Sequence, residues 1–183
     1  MPTGDLMPNL LHFFVFFRDE IFSSWRAYLV GWFLNKQSKG IIMVKKAWAV
    51  WKGSIKEGGG TISTETGVLR EAPYGFKSRF ENGKGTNPEE LIGAAHAGCF
   101  SMAFSLMLGT AGLTPEKIET HADVTLDKVG EGFEITKSHL TVTAKIPGAT
   151  EAQFQDIAAK AKAGCPVSKL LKAQITMDAK LEV

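Results

Sequence analysis

Residues 47–51, Ala-Trp-Ala-Val-Trp, and residues 61–64, Thr-Ile-Ser-Thr, read with a period of two on either side of Lys56-Glu57-Gly58-Gly59-Gly60. A period of two places successive side chains on opposite faces of a strand, and glycines between two such runs predict a turn, so this stretch is an expected antiparallel hairpin. No Gly-Lys-Ser/Thr and no helix follows the glycines, which excludes a phosphate-binding loop. Ala72-Pro73-Tyr74-Gly75 predicts a further turn. Residues 76–80 predict a short strand whose period leaves the direction of Arg79 open. The pattern changes at Asn87. Asn87 suits an N-cap, Pro88 suits the first helical position, and Glu89 and Glu90 complement the positive end of a helix dipole. From residue 91 to 108 the chain is apolar on nearly every face, with small residues at Gly93, Ala94, Ala95, Ala97 and Gly98, and Gly109 and Gly112 close the run. The expectation is one long helix over 88–108, covered on all sides, with neighbouring backbones close to its small residues.

Beyond a turn at Thr114-Pro115-Glu116-Lys117, residues 118–129 and 133–146 alternate around Gly130-Glu131-Gly132, which predicts a second, longer hairpin. Thr150 begins another helix with Phe154, Ile157, Ala158 and Ala161 on one stripe, and Gly164 ends it. Residues 165–171 form a corner and short helix, and 173–183 return as a strand. The order of hairpin, long helix, hairpin, helix and strand is that of an α+β domain. Residues 1–42 differ in character. Their apolar runs, 10–17 and 27–34, are far shorter than the roughly 20 residues that span a bilayer. They also lack a basic opening before a small-residue cleavage site, so a secretory signal fits poorly. The expectation is an N-terminal extension over 1–42, upstream of a domain at 43–183 whose natural start is Met43. The alternative is an amphipathic anchor lying on a membrane surface.

The 183 residues suit a single domain, and a net charge of +2 with 44% apolar residues suggests neither nucleic-acid binding nor disorder. The two cysteines, Cys99 and Cys165, are too few for a secreted disulfide scaffold. A reducing cytoplasm is the expected location, with any disulfide transient.

Cys99 is the candidate nucleophile, although a lone cysteine in an apolar helix is just as well a small core residue. It lies about three turns into the helix, beyond the reach of the dipole, and burial raises a thiol pKa. Reactivity then requires a cation from elsewhere in the fold. Arg79 is a candidate for that cation. At about 100° per residue Glu89 lies on the Cys99 side of the helix and Glu90 opposite, but Glu89 is about 15 Å away along the axis. Its expected role is therefore to orient an arginine, unless it serves only the helix dipole. Cys165, between Gly164 and Pro166, sits on a corner, and its spacing from Cys99 does not establish a pairing. Neither a Cys-x-x-Cys pair nor a histidine spacing suggests a metal site, since His96, His121 and His139 are scattered. His96, one turn before Cys99, is either a satisfied core histidine or the base of a cysteine hydrolase.

Three motifs stand in order: Tyr74-Gly75-Phe76-x-x-Arg79-Phe80, then residues 85–102 around Ala94-Ala95-His96-Ala97-x-Cys99-Phe100, then Ala161-Lys162-Ala163-Gly164-Cys165-Pro166-Val167-Ser168. Together they closely resemble the OsmC/Ohr peroxidase family, over about residues 44–183, and residues 1–42 have no counterpart in that pattern. The resemblance implies an intertwined homodimer whose antiparallel sheets wrap two long central helices. It implies reduction of organic hydroperoxides, and less readily hydrogen peroxide, in stress defence, with an external dithiol as reductant and no cofactor. By matching position Cys99 is the peroxidatic cysteine, Cys165 the resolving cysteine, Arg79 the thiolate-stabilising cation and Glu89 the residue that holds Arg79. Apolar neighbours such as Phe100, Met102 and Phe104 either favour alkyl peroxides or belong to the core. The rival readings are a cysteine hydrolase using Cys99 and His96, and a non-catalytic dimeric stress protein.

Overall fold

The computed structural model describes residues 42–182. Apart from Ile42, the expectations for residues 1–42 lie outside the described residues. The first hairpin is formed by β1 (Ala47–Lys52) and β2 (Gly59–Thr64), antiparallel, with Ala47 opposite Thr64 and Lys52 opposite Gly59. Gly60 is required there, because a Cβ would stand 2.1 Å from the Val50 carbonyl oxygen and 2.5 Å from the Tyr74 ring. Two local expectations are corrected. Ala72–Gly75 is not a turn but strand β3, paired antiparallel to β2 with Thr61 opposite Pro73. It ends the β1-β2-β3 order, and an edge strand tolerates a proline that donates no hydrogen bond. Phe76–Phe80 is not a strand but a short helix, α1. Five residues are too few to separate the two periods, and the i, i+4 contact settles it, since the Phe76 and Phe80 rings meet at 5.0 Å. Arg79 therefore projects from a helical turn.

The long helix α2 spans Pro88–Thr110, and the Asn87 side chain accepts from the Glu90 N–H at 2.8 Å. Its buried residues are Gly93, His96, Phe100, Phe104 and Leu108, three or four apart along one stripe. Among the described residues the helix is not covered on all sides. Ala94, Ala95, Gly98, Met102 and Leu106 are exposed, Met102 at 76% and Leu106 at 72%. Length and composition alone would let α2 cross a membrane, at mean hydropathy 1.6, but its buried stripe packs as that of a core helix does.

The second hairpin, β4 (Lys117–Val129) with β5 (Gly132–Lys145), forms one sheet with β6 (Gln174–Glu182) in the order β4-β5-β6. β6 runs parallel to β5, so this sheet is mixed rather than purely antiparallel. The reason is the connection. Helix α3 (Glu151–Gly164) and the short helix α4 (Pro166–Leu170) carry the chain back across the sheet before β6 begins, as a parallel pair demands. Phe100, Phe104 and Leu108 of α2 meet Leu140, Val142 and Ala144 of β5 and Phe154, Ala158 and Ala161 of α3 in one apolar core. Gly93 lets α2 lie close on β4, since its Cβ position is 3.0 Å from the Ala122 carbonyl oxygen.

Candidate active site

Cys99 sits on the flank of the α2 stripe, between Gly98 on the exposed face and Phe100 in the core, and is half-buried. Cys165 is brought to it from the far end of α3. The capped helix begins at Thr150, where the hydroxyl and Gln153 bond reciprocally, and its buried side fixes where it ends. Cys165 is the residue between α3 and α4, and its backbone N–H donates to the Ala161 carbonyl at 2.9 Å. The two sulfurs lie 3.2 Å apart with the Cys165 thiol donating. The corner does not leave this thiol mobile at the surface; it is fully buried.

Burial pushes the Cys99 thiol above the ordinary value of 9.0; the Val167 N–H opposes this and the Cys165 sulfur adds to it. Cys165 shifts the other way. Burial raises it too, but the Ser168 N–H, the Cys99 thiol, the Ser168 hydroxyl and the Val167 N–H together hold it below the ordinary value. Within one chain burial therefore works against a charged Cys99 sulfur. Charging the half-exposed sulfur takes an additional cation.

Arg79 and Glu89 form a fork. The guanidinium Nη2 donates to Glu89 Oε1 at 2.6 Å, and Nε lies 3.2 and 3.1 Å from the two carboxylate oxygens. Two-pronged pairing fixes the plane and direction of the guanidinium. Ser78 stabilises the turn that carries Arg79, accepting from the Gly75 N–H at 3.0 Å and bonding to the Thr86 carbonyl at 2.8 Å. The Asn87 amide also donates to the Ser78 carbonyl at 3.2 Å, tying α1 to the start of α2. Arg79 is thus held at the N-terminus of α2, two to three turns from the cysteine on the same helix. Its guanidinium stands 5.2 Å over the Phe80 ring, and Phe80 meets Phe133 at 5.6 Å.

His96 is not placed on Cys99. It is fully buried, with Nδ1 2.8 Å from the Ser138 hydroxyl and Nε2 2.8 Å from the Ser168 hydroxyl, and burial lowers its pKa. With both ring nitrogens engaged by serines, it is not set to take the Cys99 proton as a hydrolase base would. Phe100 and Phe104 are core residues, wholly buried. Ser138 and Ser168 were not singled out by the sequence, because a serine carries no spacing signal of its own. Their only clue is Ser168 following Cys165-Pro166-Val167. Among the described residues no cluster of three His, Cys, Asp or Glu side chains is placed to hold a metal ion.

The family described as OsmC-like protein matches residues 81–180. The Peroxiredoxin OsmC of Escherichia coli (strain K12) is 62% identical over 138 residues, covering 75% of this chain and 96% of that protein. The organic hydroperoxide resistance protein OhrA of Bacillus subtilis (strain 168) is 33% identical over 102 residues, covering 55% of this chain and 68% of its own length. Among solved structures, an OsmC-like protein of unknown function from Vibrio cholerae superposes with a TM-score of 0.62 at 16% identity, over 75% of this chain and 99% of the other. An organic hydroperoxide resistance protein from Legionella pneumophila gives 0.57 at 24%, over 78% and 100%. Likeness at these identities establishes the fold, and it is an α+β fold common to all of them.

Proposed function

The chain belongs to the OsmC-like protein family, and from that premise we propose that it is a thiol-dependent peroxidase reducing organic hydroperoxides to alcohols, with Cys99 as the attacking sulfur and Cys165 as its resolving partner. One observation carries the assignment of roles: the 3.2 Å contact between a half-exposed sulfur and a fully buried one. A peroxide reaches only the first, and the second is already in place to capture what forms there. The Cys99 thiolate attacks the distal peroxide oxygen, the O–O bond breaks, and the alkoxide leaves and takes a proton to become alcohol. Cys99 is then a sulfenic acid. The Cys165 sulfur displaces its oxygen as water to give a disulfide, and an external dithiol restores both thiols by exchange. The aromatic rings of Phe80 and Phe133 beside Arg79 support an alkyl rather than a bare peroxide as preferred substrate.

Arg79 is the cation we assign to the Cys99 thiolate, held by Glu89, and we place it there from a second copy of the chain. Ala94, Ala95 and Gly98 form an exposed strip of small residues on α2, and a Cβ at Gly98 would meet nothing within 4 Å. Two antiparallel copies of α2 crossing at Ala94 bring Glu89 of one beside Cys99 of the other, since the two residues lie five positions either side of that point. Met102 and Leu106 continue this exposed face beyond the crossing. The crossing supports a homodimer with isologous contacts. The scarcity of cysteines supports a cytoplasmic setting where the thiols stay reduced, and the 138-residue match to the Escherichia coli relative supports a peroxidase domain that begins near residue 43. Ala94→Asp, which places a charge at the crossing point, is expected to shift the sedimenting species from two chains to one and to abolish most peroxidase activity. A dimer that withstands this change rules out the crossing.

Arg79→Ala is expected to lower the second-order rate with organic hydroperoxide by about 10²-fold, as loss of one preorganised charge contact does. Because burial already raises the Cys99 thiol, removing the opposing cation leaves it protonated to higher pH. The midpoint of Cys99 alkylation against pH moves upward, and an unmoved midpoint excludes Arg79 from the site.

A further inference from the structure

His96 is a buried titratable group that the peroxide chemistry as written does not use, and its surroundings lead to the resolving cysteine. Three hydroxyl or imidazole groups run in a line from the interior: Ser138 of β5, His96 of α2 and Ser168 of α4, with the two contacts at 2.8 Å each. Ser138 and His96 are fully buried. The line ends beside sulfur, since Cys165 is the N-cap of α4 and Ser168 the third residue of its first turn, and the Ser168 hydroxyl is among the groups that hold the Cys165 thiol below its ordinary value.

We propose that His96 is a positioning residue for disulfide formation, acting through Ser168 to aim a hydroxyl proton at the Cys165 sulfur. This rests on the peroxidase reading above. The imidazole has two neutral forms and the serines accept either. With the proton on Nε2, His96 donates to the Ser168 oxygen, so the Ser168 O–H is left to donate to Cys165, while Ser138 donates to Nδ1. With the proton on Nδ1, the Ser168 O–H turns to Nε2 and the sulfur loses that hydroxyl donor. Negative charge growing on Cys165 selects the first form without charging the ring, which a dry site would resist. The step itself is balanced within the pair. The Cys165 sulfur bonds to the Cys99 sulfur, the S–O bond of the sulfenic acid breaks, and the Cys165 proton leaves with that oxygen as water. His96 is neither oxidised nor reduced and ends the step neutral.

Two readouts separate positioning from mere packing. The first uses Cys99→Ser, where Cys165 is the single remaining thiol, and follows the ultraviolet absorbance of its thiolate against pH. The titratable groups against that sulfur are then reduced to His96, reached through Ser168. Ser168→Ala and His96→Phe are each expected to raise the Cys165 midpoint by about one pH unit, on the order of tenfold, as losing a hydrogen bond to a charged group does. Ser168→Thr and His96→Gln, which keep a hydroxyl and a donor in place, are expected to restore most of it. The second readout adds one equivalent of organic hydroperoxide to the two-cysteine protein and times sulfenic acid formation by trapping and disulfide formation by mass. Ser168→Ala and His96→Phe are expected to slow the disulfide step about tenfold more than the sulfenic acid step. An unshifted midpoint in Ser168→Ala, whose small change at a half-buried site preserves the fold, overturns the proposal. So does slowing both steps equally. The titration needs no peroxide, so it judges the proposal even if the parent protein forms no disulfide, an outcome that would overturn the peroxidase reading instead.

Discussion

Cys99→Ser is expected to eliminate organic hydroperoxide consumption with dithiothreitol as reductant, leaving a rate at least about 10³-fold below that of the parent protein. The size of the effect follows from the chemistry. Peroxide reduction by sulfur needs an atom that can give two electrons and carry the oxygen afterwards, and a serine hydroxyl does neither. Cys165 cannot substitute, because it is fully buried while Cys99 is half-exposed. Serine is close to cysteine in shape, so the fold is preserved and the loss is attributable to the sulfur. Peroxide consumption at the parent rate would sink the assignment, and ester hydrolysis without disulfide formation would revive the cysteine hydrolase.

Cys165→Ser is expected to convert a catalyst into a reagent. The first equivalent of hydroperoxide is consumed at near the parent rate, because Cys99 is intact. Turnover then stops after at most a few cycles, because the sulfenic acid has lost the sulfur that stood 3.2 Å away. With excess peroxide Cys99 climbs to sulfinic and sulfonic acids, which dithiols do not reverse. Mass spectrometry of the Cys99 peptide reads this directly, as a gain of two or three oxygens where the parent protein shows a disulfide. Sustained turnover with dithiothreitol, and no overoxidation, would mean that an external thiol resolves the sulfenic acid and that Cys165 is only a core residue.

The long helix and its caps were legible because their signals are local. Asn87, Pro88 and Glu90 occupy the positions that a helix start demands, and the hydrogen bond from the Glu90 N–H to Asn87 forms as that pattern requires. The two hairpins were legible for the same reason, through period two and their glycines. Short elements were not. Residues 72–75 carry turn residues yet pair as an edge strand, and residues 76–80 alternate yet coil into α1, because in four or five residues tertiary contacts outweigh any periodicity. The parallel return of β6 was hidden too, since strand direction depends on where α3 sets the chain down.

The site divides along the same line. The motifs and the helical wheel singled out Cys99, Cys165, Arg79 and Glu89 as candidates, and the structure pairs Arg79 with Glu89. That two sulfurs 66 positions apart meet at 3.2 Å was decided by packing, since no local rule relates the end of one helix to the middle of another. Packing likewise turned His96 away from Cys99 and toward two serines, and left one face of α2 bare. A sequence determines which chemistry a chain carries and where its helices and strands begin, because capping, turns and periodicity act over a few residues. Which groups touch, and which sulfur is dry, is settled only when distant segments compete to bury the same apolar surface.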